Sequence, residues 1–436
     1  MRNKVLAFLL VLGTVAFGQG FGRGKSVLLM NGTAHLGNGK VIENSAIGIK
    51  DGKIAFVGDA RTIKINNKEY DTIIQIPGKQ VYPGFIAANN TVGLIEMESV
   101  RATRDVEEIG SMNPHVCSKT SFNADSKIIP TLRTNGVLIA QVCPRGGILS
   151  GTSSVFNLYG WNWEDALLRG DDGVELNFPR WPSEQWPAPT DPAAPDRRVT
   201  YEKQVQELRK FFADARAYAE LDHPEEKNLR FEAMRNVFKG TERIYIHADY
   251  VKDIIATMEF VKEFQLKTVV LVGAKDAWLV TGMIKESGLP VMLGRVHDLP
   301  LRPDDDKEMP FKLPGVLQRA GILFCLQNQG DMEAMNARNL PFLAGTAAAY
   351  GLSKEEALMA ITLNTARILG IEDRVGSLET GKDATLFISE GDALDMRTNK
   401  PELVFIQGRM LGPNADNVQR VLYEKYAKKY KLSTSD

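Results

Sequence analysis

The spacing of apolar positions changes at about residue 81. Between residues 26 and 80, short apolar runs are cut by turn residues. Residues 26–30 lead into Asn31-Gly32, and Gly37-Asn38-Gly39 punctuates the chain again. Residues 46–50 alternate up to Asp51-Gly52, and residues 54–57 return. Asp-Gly between two alternating runs signals a tight hairpin, because both central turn positions require positive φ. The pattern predicts a small β-sheet unit.

From Val81 onward, apolar runs of strand length alternate with helical periodicity. Strands are predicted at 137–142, 243–247, 268–272, 290–293 and 322–326, and helices at 250–264, 277–287 and 353–369. Repeated strand–helix alternation predicts a parallel sheet with crossover helices. Over roughly 300 residues, a closed eight-stranded barrel is its most economical form. Residues 378–408 return to strand texture, and the tail from Asn414 reads as a charged helix. Because the two flanks share one texture, they are expected to build one split domain. The expected fold class is therefore α/β: a (β/α)8 TIM barrel over residues 81–376, a composite β-sandwich from residues 26–80 plus 377–412, and a helical tail over 413–436. Residues 201–221 read as an amphipathic helix on the barrel exterior. Proline-rich residues 179–198 read as a surface loop, either a plain insertion or a lid carrying Trp181 and Trp186.

The first residues have a different character. Arg2 and Lys4 precede an apolar run ending near Phe17, and Ala16-Phe17-Gly18 supplies small residues two apart. This matches a signal peptide, residues 1–18, with cleavage after Gly18. The run is shorter than the ~20 residues of a membrane-spanning helix. A soluble periplasmic or extracellular protein is expected, with no membrane span in the mature chain.

Charge narrows the partners. Lys+Arg total 53 and Asp+Glu 54 in 436 residues, for a net charge of −1. Nucleic-acid binding, which favours a basic chain or patch, gains no support. Three cysteines, Cys117, Cys143 and Cys325, cannot form a disulfide framework. The chain has only five histidines, which limits any histidine-rich metal site.

Three motifs carry a resemblance. The run from Asp51 to Gly58 (DGKIAFVG), the run from Gly78 to Ile86 (GKQVYPGFI), and Leu363-Asn364-Thr365-Ala366 followed by residues 375–384 (VGSLETGKDA) stand in that order. Together they resemble the amidohydrolase superfamily, and within it the imidazolonepropionase-like metal-dependent hydrolases. The resemblance implies a metal-supported barrel with a flanking β-sandwich that hydrolyses non-peptide C–N bonds using zinc or another divalent ion. It also implies ligands at the C-terminal ends of the strands: His-x-His on the first, Lys or Glu near the middle, His on the fifth and sixth, and Asp on the eighth.

The chain departs from that pattern. Asn89 and Thr91 stand where the first two histidines are implied, and Gly273 stands where the sixth-strand histidine is implied. Gln327-Asn328-Gln329 occupies the region of the eighth-strand aspartate. His247 matches the fifth-strand histidine, and Glu175 is the nearest candidate for the middle strand. A catalytic zinc needs about three protein donors and an open position, so no cofactor is expected. His247, His297 and Asp331, with Asp298 nearby, are the candidates for a single-metal site, and Cys143 with His247 for a thiol nucleophile. His35, His115 and His223 read as structural or surface residues. Polar residues at barrel strand ends usually mark a site. Asn89, Thr91, Arg145, Arg295, His297, Asn328 and Gln329 are therefore candidate binding residues around His247.

Three functions remain open at this point. The first is a secreted homologue that has lost metal-dependent catalysis and binds a small amide-like ligand or an active relative. The second is an active amidohydrolase with an atypical site around His247. The third is a structural envelope protein without a ligand.

Overall fold

The structure is a computed structural model that describes residues 26–182, 196–411 and 426–431. The expected signal peptide, Trp186 with most of its loop, and residues 413–425 and 432–436 of the expected tail lie outside the described residues. Residues 426–430 are helical. Among the described residues, no helix is long and apolar enough to cross a membrane.

Two sheets organise the chain. The first contains β1 (Val27–His35), β2 (Val41–Lys50), β3 (Lys53–Asp59), β4 (Thr72–Gln75) and β5 (Gln80–Pro83). It also contains three late strands, β14 (Leu386–Ser389), β15 (Pro401–Ile406) and β16 (Arg409–Leu411). Its order is β16-β15-β14-β5-β1-β2-β3, with β4 also on β1. The flanks thus meet where β14 pairs antiparallel with β5. Val27, Leu29, Ile47, Ile49, Ile54, Leu378, Leu386 and Phe405 fill its core. The Asp-Gly hairpin forms as expected: Lys50 pairs with Lys53, and Asp51 and Gly52 take φ of 49° and 80°.

The second sheet is the barrel. It runs in chain order through β6 (Phe85–Asn90), β7 (Val137–Val142), β8 (Leu149–Asn157), β9 (Leu167–Asn177), β10 (Arg243–Ala248), β11 (Val269–Gly273), β12 (Val291–Leu293) and β13 (Phe324–Leu326). It departs from the expected all-parallel pattern at one strand, since β8 is antiparallel to both β7 and β9. The cause is the β7–β8 connection, Cys143 to Ile148. It is far shorter than the dozen or so residues a parallel crossover needs.

A second departure closes the barrel. The helix expected over 353–369 is two helices, Lys354–Met359 and Leu363–Leu369. Between them the backbone carbonyls turn to the barrel strands. Ala360 O accepts from Leu326 N, and Ile361 O accepts from Ile86 N, each at 2.9 Å. The break frees carbonyls that would otherwise serve the helix and spends them on the β6–β13 seam, beside a parallel bridge between Ala88 and Gln327.

Side chains alternate across the barrel wall. Leu138, Val174, Ile244, Leu271 and Phe324 face the surrounding helices. Ile86, Ile139, Val155, Tyr245, Val270, Met292 and Cys325 fill the interior. Polar residues interrupt that interior. Asp172 Oδ2 accepts from Tyr245 Oη at 2.5 Å and from Gln141 Nε2 at 3.1 Å. Arg169 and Arg243 flank the same carboxylate and also bond the last carbonyls of the Leu363–Leu369 helix, at Gly370 and Ile368. Cations at a helix C-terminus satisfy its unpaired carbonyls and its dipole. This network plugs the foot of the barrel.

Candidate functional site

The mouth of the barrel is where the parallel strands end. β9 and β10 run side by side, with Glu175 opposite Tyr245 and Asn177 opposite His247. This register brings Glu175 Oε2 to 2.9 Å from His247 Nε2. The carboxylate is 2% exposed and the imidazole 14%. Glu175 Oε1 is sealed in protein without a hydrogen bond, and His247 Nδ1 has no protein partner among the described residues. A histidine with one nitrogen held by a carboxylate and the other open has a defined tautomer and ring orientation.

Across the mouth, Asn89 sits at φ 49°, a left-handed conformation that asparagine tolerates. Its backbone N–H donates to Gln141 Oε1, and its Nδ2 donates to Gln329 Oε1, each at 3.0 Å. Asn89 Oδ1 and Thr91 Oγ1 are buried without partners. A cleft opens next to Gln329, lined also by His247, Asn177, Asp249, Tyr250 and Asp253 among others.

The sequence-predicted residues separate into two groups. Asn89, His247 and Gln329 belong to the cleft or bond a residue that lines it. Thr91 lies outside the cleft lining with its hydroxyl unpartnered, and the others knit loops together. Arg145 donates to the Asn89 carbonyl at 2.9 Å and to Glu333 at 3.1 Å. Arg295 donates to the carbonyls of Asn328 and Asp331. Asn328 Nδ2 donates to Glu333 O. His297 bonds Thr346 Oγ1 at 2.7 Å, and burial together with Arg295 lowers its pKa. Asp331 is exposed, and Asp298 is held by Lys275 at 2.5 Å. The structure therefore does not bring His247, His297 and Asp331 to one point.

Cys143 is fully buried, and burial with the Glu175 carboxylate pushes its thiol well above the ordinary range. That works against the thiolate a nucleophile needs. His35 bridges Glu355 and Gln80 and stacks on Tyr82, which is a structural role. His223 is exposed.

Sequence reasoning missed Asp249 and Asp253 and left Glu175 a weak candidate. Burial raises both aspartates, Asp253 to about 6. Asp249 lies two residues beyond His247, which is the one signal that could have pointed to it.

The residues present do not fit a catalytic divalent metal. Among the described residues, no three His, Cys, Asp or Glu converge to hold one. The imidazole is bonded to the Glu175 carboxylate. At 273, a Cβ would collide with Asp249 Oδ1, so no side-chain donor fits there without displacing that carboxylate. Gln327 is buried, and its Oε1 is occupied by Gln329 N.

Residues 173–411 match the amidohydrolase family. Among curated proteins, the chain is 25% identical over 191 residues to the amidohydrolase tasK of Hapsidospora irregularis, covering 42% of this chain and 18% of that one. It is 48% identical over 54 residues to an imidazolonepropionase of Syntrophobacter fumaroxidans, covering 12% of this chain and 13% of that one. The matched stretches thus span less than a fifth of either relative. Among solved structures, an amidohydrolase from Thermotoga maritima superposes with a TM-score of 0.75 at 23% identity, over 88% of this chain and 99% of that one. That likeness speaks to the fold: a TIM barrel with a β-sandwich.

Proposed function

The chain belongs to the amidohydrolase family, and from that premise we propose that it binds a small amide-like molecule at the barrel mouth without metal-dependent hydrolysis. The observation that carries this reading is the Glu175–His247 contact at 2.9 Å, set among Asn89, Thr91, Gly273 and Gln327. With that donor set no hydroxide is generated on a dication, because the dication has too few ligands. What remains is a concave cleft with convergent polar groups, the ordinary form of a small-molecule site. The protein acts outside the cytoplasm, in the periplasm or the medium, and serves as a binding subunit alone or beside an active homologue.

The test is metal analysis of protein purified without chelators, with a thermal-shift and turnover screen of amides and dipeptides. The expected result is substoichiometric metal, melting shifts with some amides, and no turnover. Stoichiometric zinc, manganese or iron with chelator-sensitive turnover would overturn it.

One observation favours a second reading, that of an active hydrolase without a metal. Glu175 orients His247 so that Nδ1 is left to take a proton from water at the cleft, as a general base does. Turnover abolished by His247→Ala and indifferent to chelators would select it.

A further inference from the structure

Several charges around the cleft are already paired. Lys275 is taken by Asp298 and Arg302 by Asp276, each at 2.5 Å, and His247 by Glu175 at 2.9 Å. Asp249 and Asp253 line the cleft and form no ion pair with another described residue. Asp249 Oδ1 is sealed in protein and receives no hydrogen bond. Asp253 is 3% exposed, and its Oδ1 takes the backbone N–H of Trp181 at 2.9 Å. The cation of the same cleft, Arg180, lies over the Tyr250 ring at 4.1 Å and donates to its hydroxyl.

Lys275 and Arg180 face these carboxyls, yet neither carboxyl forms an ion-pair contact with a described residue, and burial makes both costly to ionise. A neutral N–H donor would satisfy an acceptor oxygen and leave the charge in place. A protonated nitrogen in the cleft would compensate that charge. We infer that the cleft contains a subsite for a protonated amine, with the ammonium group beside Asp249 and Asp253 and the body of the ligand against Phe178 and Tyr250. This rests on the reading of the mouth as a ligand site and adds the chemical class of the ligand. Burial, which raises both carboxyls, agrees with it. The groups facing Asp249 are Lys275, His247 and Arg180, and those facing Asp253 are Arg180, Asp249 and Asp276. Since Asp253 titrates at about 6, amine binding should weaken as pH falls through that value.

The experiment is calorimetric titration of the full chain at pH 7.5 with benzylammonium, benzyl alcohol and benzoate. Benzylammonium should bind at least about tenfold tighter than benzyl alcohol, with benzoate weakest. Asp249→Asn and Asp253→Asn should each cut that preference at least about fivefold. Asparagine keeps the oxygen that accepts from Trp181, so Asp253→Asn guards against a fold artefact at 249. The preference should also shrink at pH 5. Equal binding of amine and alcohol, or amine binding untouched by the Asn variants, overturns the inference. So does failure of all three probes while amides still shift the melting temperature, and in these cases the ligand-site reading stands. Failure of the probes and of the amide screen together overturns both.

Discussion

At the foot of the barrel, Asp172 accepts hydrogen bonds at one oxygen and faces two arginines at the other, which has no hydrogen bond of its own. Its Oδ2 accepts from Tyr245 and Gln141, and its Oδ1 lies 3.3 Å from Arg169 Nε and 3.8 Å from Arg243, in ion-pair contact. Three residues farther along β9, at the mouth, Glu175 is nearly as buried and bonds His247 through Oε2, while its Oε1 receives no hydrogen bond. The two carboxylates share a strand and an interior. They differ in what surrounds them: the foot supplies its own cations and ties them to a helix end, while the mouth leaves acceptors unmatched at Asn89, Thr91, Glu175 and Asp249. A buried polar group whose donors come from the chain is part of the core.

The largest expected effect is at the foot. Arg243→Ala strips a cation from Asp172 and a donor from Ile368 O, so urea denaturation should show a loss of about 3–5 kcal/mol, the usual result of breaking a buried pair. A loss below about 1 kcal/mol would break the comparison. Next is pH. Burial pushes Asp172 from 3.8 to about 6, so the folded state holds that proton more tightly than the unfolded chain. Its contribution is fully present below pH ~4 and lost as pH rises through about 6, an amount of up to about 3 kcal/mol. Stability measured from pH 4 to 7 should therefore decline less steeply in Asp172→Asn than in the parent.

Tyr245→Phe removes one donor from the same carboxylate and should cost about 1–3 kcal/mol by thermal melting. The smallest effect is at the mouth. Glu175→Gln keeps an acceptor for His247 and removes an uncompensated charge, so stability should stay within about 1 kcal/mol of the parent while ligand-induced melting shifts diminish. A stability loss comparable to that of Arg243→Ala would make Glu175 a core residue and sink the distinction.

Local patterns made much of the fold legible. β7 spans the predicted residues, and the strands at 243, 269, 291 and 324 begin within two residues of expectation. Asp51-Gly52 turns where turn chemistry requires. The misses share a cause. The helix expected over 353–369 carries the right periodicity throughout, yet Ala360 and Ile361 turn their carbonyls to strands more than thirty and two hundred residues away. The helix expected over 277–287 likewise divides at Val280. The reversed β8 follows from a short connection, a feature easily overlooked when apolar runs alone are counted. At the site, residue types were legible but pairings were not. Arg145, Arg295 and Asn328 look like ligand contacts in the sequence, but their hydrogen bonds go to loop carbonyls and Glu333.

The sequence by itself determined the order of the elements, the split β-unit, the family motifs and the absence of the implied histidines at two strand ends. Those are properties of residue type and spacing along one chain. Only the tertiary structure decided that Glu175 meets His247 and that Asp249 takes the space beside Gly273. It also decided which buried carboxylate is given cations and which is not. The reason is physical: hydrogen bonds and ion pairs act over a few ångströms, and closing the barrel brings strand ends together that are far apart in the sequence.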